Sequence, residues 1–214
     1  MQKLALFLNG EKPKQIPNLE EYTEIYCTDG AYLFLEKMNI KPDLISGDFD
    51  SIKELPENIP HIHTPDQNFT DFEKALKIII ERNYTAVDVF AGSGLEQDHF
   101  MGNLSTALKY KSKIKITFFD DKQHYFFLNK YFKTNIEIGK KVSLFPFPKA
   151  KTVSSNGLKY PLDKLDLSSP WGIVGSGAVN GWNGPDMPFY KTSDAGVFVA
   201  YVMLADGEIK IRQN

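Results

Sequence analysis

The sequence predicts an α/β fold, with an N-terminal mostly parallel sheet and flanking helices, followed by a C-terminal antiparallel β-sandwich domain. Two observations predict it. As far as Phe119, short runs rich in Ile, Val and Phe alternate with helical patterns; beyond it, apolar runs are separated by Gly, Pro, Asn and Asp without a 3.6-residue period. A chain of 214 residues is long enough for two small domains. The boundary is expected within residues 129–137, giving domains over 1–132 and 133–214.

In order, the first half supplies strand candidates at Lys3–Leu8, Glu24–Thr28, Asp43–Ser46, His61–Thr64, Ala86–Ala91 and Lys113–Phe119. Phe72, Ala75, Leu76, Ile79 and Ile80 recur at helical spacing, which puts them on one face for burial against a sheet. Thr70 and Glu73 form a capping-box pair at the start of that helix, with Asp71 as its first residue. A second helix is expected from about Asp98 to Tyr110. In the second half, His124–Leu128, Lys141–Phe147, Val153–Leu162 and Val197–Leu204 read as strands.

Composition narrows the function classes. A formal charge of −2 and the absence of a Lys/Arg-rich run argue against nucleic acid or an anionic membrane as partner. The apolar start, Met1 to Asn9, is too short for a signal peptide, and no later run approaches the span of a bilayer. The expectation is a soluble cytoplasmic protein. The single cysteine, Cys27, lies in an apolar strand and reads as a packed core thiol.

The chemistry concentrates where strands end. Gly47-Asp48-Phe49-Asp50-Ser51 places two aspartates directly after an apolar strand, where an α/β sheet binds ligands. Crowded carboxylates repel one another unless a cation or proton intervenes, and Mg²⁺ suits oxygen ligands shared with nucleotide phosphates. The plain alternative is that both aspartates cap a turn. Asp71 stands after the next strand, at the positive end of a helix dipole, or serves as ordinary helix-start chemistry. Asp29-Gly30 ends a third strand and by itself signals a turn. Four strand-end aspartates in three successive connections point to one sheet edge. The segment Gly92 to His99 is either a phosphate cradle at a helix N-terminus or a plain turn, and it matches neither the P-loop nor the dinucleotide fingerprint.

Asp29-Gly30, Gly47-Asp48-Phe49-Asp50-Ser51, Asp66-Gln67-x-x-Thr70-Asp71-Phe72, Gly92 to His99 and Ser155-Asn156-Gly157-Leu158-Lys159-Tyr160 together resemble thiamine pyrophosphokinase. The resemblance covers roughly residues 25–165, and the Gly-Asp-Phe-Asp-Ser and Asp-Gln-x-x-Thr-Asp-Phe pair is its most specific part. It implies a nucleotide-binding catalytic domain followed by a thiamine-binding β-sandwich, in a homodimer with thiamine at the subunit interface. Mg²⁺ and ATP are implied as cofactor and co-substrate, and AMP as a product. Carried over, Asp48, Asp50, Asp71 and Asp98 are the catalytic set, and Asp29, Asp48, Asp50 and Asp71 the metal set. Asp29, Gly47, Ser51, Gln67, Thr70, Gly92, His99 and Tyr160 are the binding set. Gln67 and Asp98 would face thiamine, and Tyr160 would stack on its cationic thiazolium, although a tyrosine there also reads as a β-core aromatic. Either Asp71 or Asp98 would take the hydroxyl proton.

The chain departs from the family at two places. Glu96 stands where the family has an arginine, with Lys53 or Lys74 as substitutes, and Gly175 to Pro185 does not align with the family's Ser-Asn strand. Residues beyond about 170 therefore read as an altered edge of the site or a partly disordered tail. Three rival readings start from the same aspartates: a hydroxymethylpterin-type diphosphokinase, a non-catalytic nucleotide or thiamine sensor, and a phosphatase with an aspartate nucleophile. The last leaves the Asp66–Asp71 segment and the β-rich half without a role.

Overall fold

The computed structural model describes residues 2–128, 131–133, 141–147, 149–155, 162–168, 174–178, 189–191 and 198–203. The chain forms two compact units, Met1–Asp121 and Lys122–Asn214, which meet before the boundary expected after residue 132.

The first unit contains strands β1 (Lys3–Phe7), β2 (Glu24–Thr28), β3 (Leu44–Gly47), β4 (His61–His63), β5 (Ala86–Phe90) and β6 (Lys115–Phe119), with helices α1 (Asp29–Lys37), α2 (Asp71–Glu81) and α3 (Gln97–Tyr110). The strand order is β6-β5-β1-β2-β3-β4, and every neighbouring pair is parallel. Chain direction reverses its march once: β1 to β4 step outward, then β5 returns to the other side of β1. A ligand crevice is expected at such a switch, beyond the carboxyl ends of the strands. Register brings those ends level, with Phe7 opposite both Cys27 and Phe90, Thr28 opposite Ser46, and Gly47 opposite His63.

All five residues of β5 are buried, which requires cover on both faces of the sheet. Phe7, Cys27, Ile45 and Phe90 cluster with Ala31 and Leu35 of α1. Helix α2 buries Phe72, Ala75, Leu76 and Ile79, and packs against β2 and β3. Burying each large side chain of this kind contributes about 1.5–3 kcal/mol. Cys27 is fully buried, and that burial pushes its thiol pKa up, as suits an inert core thiol.

Two local expectations change. Thr70 does cap α2, its Oγ1 accepting from Glu73 N at 3.2 Å. The reciprocal half of the capping box is replaced, because the Glu73 carboxylate accepts from Lys109 Nζ at 2.6 Å and Tyr110 Oη at 3.0 Å and so ties α2 to α3. A charge-assisted partner outcompetes the neutral backbone N–H. Lys113 and Ile114 were expected in β6, yet both donate to the Tyr110 carbonyl and close the end of α3.

The second unit is antiparallel throughout its described pairs. Its strands are β7 (Gln123–Phe127), β8 (Tyr131–Lys133), β9 (Lys141–Pro146), β10 (Lys149–Ser155), β11 (Leu165–Ser168), β12 (Val174–Ala178), β13 (Phe189–Lys191) and β14 (Phe198–Met203). They form ladders in the orders β12-β9-β14-β7 and β11-β10-β13-β8. The strand expected over Val153–Leu162 is corrected: Ser155 N donates to the Leu162 carbonyl and Leu162 N to Ser155 Oγ, both at 2.9 Å. One extended strand running through both residues does not allow that. Tyr160 and most of the unaligned Gly175–Pro185 segment lie outside the described residues. Among the described residues, no helix is long and apolar enough to cross a membrane.

Candidate active site

The carboxyl ends of β1 to β5 surround a cleft of about 940 Å³ in the first unit. Ten of the residues singled out in the sequence line it: Asp29, Asp48, Asp50, Ser51, Gln67, Thr70, Asp71, Gly92, Asp98 and His99. Gly47 lies against Asp29 and does not line the cleft. Tyr160 belongs to the undescribed residues.

Asp29 follows β2 directly and is 3% exposed. Its Oδ1 accepts from Gly30 N at 2.8 Å and its Oδ2 from Phe49 N at 3.0 Å. Burial nevertheless raises its pKa, with the negative charges of Asp71 and Asp48 adding to the effect and the two backbone donors opposing it. The carboxyl is seated where Gly47 has no side chain: a Cβ there would fall 2.5 Å from Asp29 Cγ. This explains the glycine before the two aspartates by close approach.

Between Asp48 and Asp50, Phe49 adopts φ 65°, a left-handed conformation uncommon for a non-glycine residue. Its ring is held by stacking on His63 and an edge contact with His61, both with centroids 5.7 Å away. Strain of this kind persists where surrounding contacts over-determine it. Asp48 Oδ2 accepts from Gln67 Nε2 at 2.8 Å and its Oδ1 from Asp50 N at 3.3 Å. The Gln67 hydrogen bond is the leading cause that holds the Asp48 pKa below the usual carboxylate range. Ser51 Oγ donates to Asp50 Oδ1 at 3.0 Å. Asp71, the first residue of α2, pairs through Oδ1 with Lys74 Nζ at 2.7 Å.

The β5–α3 connection closes one side. Asn103 Nδ2 donates to the Gly92 carbonyl at 2.9 Å, tying the loop to α3. A Cβ on Gly92 would fall 2.7 Å from the Phe118 ring, so packing by itself accounts for this glycine. Asp98 stands in the first turn of α3, and His99 Nε2 lies 3.5 Å from Glu96 Oε2, both side chains being largely exposed.

The end of β1 was missed in the sequence. Leu8, Asn9 and Gly10 line the cleft, and Gly10 N donates to the Ala91 carbonyl at 2.8 Å, joining the two strands on either side of the switch. The signal was present: Asn9-Gly10 follows an apolar strand, the same pattern that pointed to the other loops.

Asp29, Asp48 and Asp50 each offer one carboxylate oxygen, and these atoms lie within 4.8 Å of one another. Those oxygen donors suit a hard divalent cation such as Mg²⁺, which prefers oxygen ligands and completes its shell with water and phosphate oxygens. Asp71 lies outside this trio, held by Lys74.

A family model described as the thiamin pyrophosphokinase catalytic domain matches residues 18–118, the span that carries most of this cleft. The thiamine pyrophosphokinase of Bacillus subtilis is 28% identical over 183 residues, covering 78% of this chain and 85% of that protein. Over most of its length the chain is similar in sequence to thiamine pyrophosphokinases. A second relative, thiamin pyrophosphokinase 1 of Caenorhabditis elegans, is 27% identical over 187 residues, covering 77% of this chain and 76% of its own. Among solved structures, the Bacillus subtilis thiamine pyrophosphokinase superposes with a TM-score of 0.77 at 23% identity, covering 94% of this chain and 99% of that one. The Geobacillus thermodenitrificans protein gives 0.78 at 20% identity, covering 96% and 99%. These likenesses show the family's fold in this chain.

Proposed function

We propose that the chain is a thiamine diphosphokinase, transferring the diphosphate of ATP to the thiamine hydroxyl with Mg²⁺ and releasing AMP. The observation that carries this reading is the trio Asp29, Asp48 and Asp50, whose oxygens lie within 4.8 Å of one another at the strand ends of a chain similar to thiamine pyrophosphokinases. In the reaction the thiamine oxygen bonds to the β-phosphorus, and the bond from that phosphorus to the α,β-bridging oxygen breaks. The bridging oxygen leaves with AMP, and the hydroxyl proton passes to a carboxylate. The task is alignment and stabilisation of charge on phosphate oxygens.

Asp29, Asp48 and Asp50 hold the cation, with Asp71 beside them. Bound there, Mg²⁺ neutralises charge on the phosphate oxygens. Gln67 fixes Asp48 by its amide hydrogen bond and faces thiamine. Of the two candidates for the proton, Asp71 is engaged by Lys74, while Asp98 has no ion-pair partner among the described residues. Asp98 is therefore the general base. The second unit is the β-sandwich thiamine-binding domain, with Tyr160 stacked on the thiazolium, and the enzyme works in the cytoplasm as a homodimer with thiamine at the subunit interface. Its antiparallel ladders support the sandwich, and a formal charge of −2 supports small-molecule substrates over a polyanion.

The deciding experiment incubates the protein with ATP, Mg²⁺ and thiamine. Formation of thiamine diphosphate and AMP in equal amounts is expected, whereas nucleotide binding without either product identifies a sensor. Turnover of a hydroxymethylpterin in place of thiamine identifies the pterin enzyme instead.

A further inference from the structure

Lys74 is a cation in an unfavourable place. It stands in the first turn of α2, where the helix dipole is positive, and its side chain is 7% exposed, so dipole and desolvation both oppose its charge. Two contacts offset this. Its Nζ pairs with Asp71 Oδ1 at 2.7 Å and donates to the Thr64 carbonyl at 2.8 Å. Asp71 precedes it by three residues on the same helical face, and Thr64 directly follows β4. The ammonium thus ties the first residue of α2 to the end of the sheet.

The cleft explains why such an anchor is present. Among the described residues that line it, Lys74 is the one Lys or Arg, set against Asp29, Asp48, Asp50, Asp71, Glu96 and Asp98. Asp71 shares this cleft with the other five carboxylates, and like charges so gathered repel one another. With 44% of its side chain exposed, Asp71 has room to swing into water and relieve that repulsion unless it is held.

We infer that Lys74 is a positioning residue that holds Asp71 in the cleft, against the repulsion of its acidic neighbours, for binding of a divalent cation with a nucleoside triphosphate. The inference rests on the proposed reading that this cleft takes a metal–nucleotide complex. Lys74 acts through Asp71 and not by its own contact with the nucleotide.

The test is a double-mutant cycle of Lys74→Met and Asp71→Asn, read as Mg²⁺-dependent binding of α,β-methylene-ATP by calorimetry, with a thermal scan as the fold control. Lys74→Met weakens binding about tenfold, and the double variant binds no more weakly than Asp71→Asn alone. Lys74→Arg, which keeps the charge, binds within about threefold of wild type. Wild-type affinity in Lys74→Met, or losses that multiply in the double variant, overturns the inference. If Lys74→Met does not fold, Lys74→Arg decides, and a loss as large as that of Asp71→Asn overturns it. Coupled binding in a protein that makes no thiamine diphosphate leaves Lys74's role standing and removes the proposed function. Turnover of thiamine with uncoupled binding does the reverse, and absence of Mg²⁺-dependent binding by the wild type removes both.

Discussion

Asp29 concentrates the opposing forces of the site: two backbone N–H groups favour its ionised form, while burial and two neighbouring aspartates disfavour it, and the disfavouring effects win. Because its pKa is raised on folding, the native state holds this proton to higher pH than the unfolded chain does. Asp29 therefore detracts from stability at neutral pH, and the penalty fades as pH falls towards the ordinary carboxylate value of about 4. In EDTA, the Tm of Asp29→Asn relative to wild type should climb as pH rises from about 4 to 7; a constant difference across that range would count against the electrostatic account. The Asn amide facing a backbone donor adds a penalty that does not depend on pH. Gly47→Ala tests the same carboxylate from the other side, since its Cβ would lie 2.5 Å from Asp29 Cγ. Displacing Asp29 should lower kcat/KM by roughly 10²-fold while the circular dichroism spectrum is retained. Asp48→Asn and Asp50→Asn should each lower turnover by at least about a hundredfold without loss of fold, and near-wild-type rates would remove their assigned role.

At the scale of elements, the β4–α2 connection is the most heavily tethered part of the cleft. Gln67 reaches across to Asp48, Thr70 caps the helix, and Glu73 binds Lys109 and Tyr110 of α3. The Phe69 ring lies under Lys77 Nζ, 3.1 Å from its centroid, with Lys109 Nζ at 5.6 Å. These contacts hold three site residues on a loop that the short β4 alone would not restrain. Thr70→Ala should cost about 1 kcal/mol, seen as a lower urea midpoint with an unchanged slope. If the loss of the cap also loosens Gln67, the Mg²⁺ concentration needed for half-maximal activity rises with it.

On the scale of the whole molecule, the parallel sheet of the first unit gathers loops far apart in sequence at one edge, and binding there is linked to folding. Mg²⁺ with ATP should raise the Tm, corresponding to about 2.7 kcal/mol when the complex is at 100 times its Kd, and EDTA should abolish the gain. An equal gain with ATP in EDTA would show that the carboxylate trio holds no cation on which the nucleotide depends.

What the sequence determined by itself was local. Helical period located α2, Thr70 marked its start, and aspartates placed after apolar runs located the loops of the cleft, because these features depend on residues a few positions apart. The motifs of residues 25–165 were enough to suggest the proteins that the comparisons find similar to this chain. Tertiary structure decided the rest. Strands of three to five residues such as β8, β11, β12 and β13 carry too little pattern to be read, and they exist through ladders with distant segments. The return of β5 to the side of β1 brought Asn9 and Gly10 into the cleft, and no local signal encodes that return. Asp29 receives Phe49 N across 20 residues, and Glu73 leaves its cap for Lys109 across 36. Such partners are chosen by burial, which removes water as the competing ligand and leaves each charge to the group the fold brings nearest.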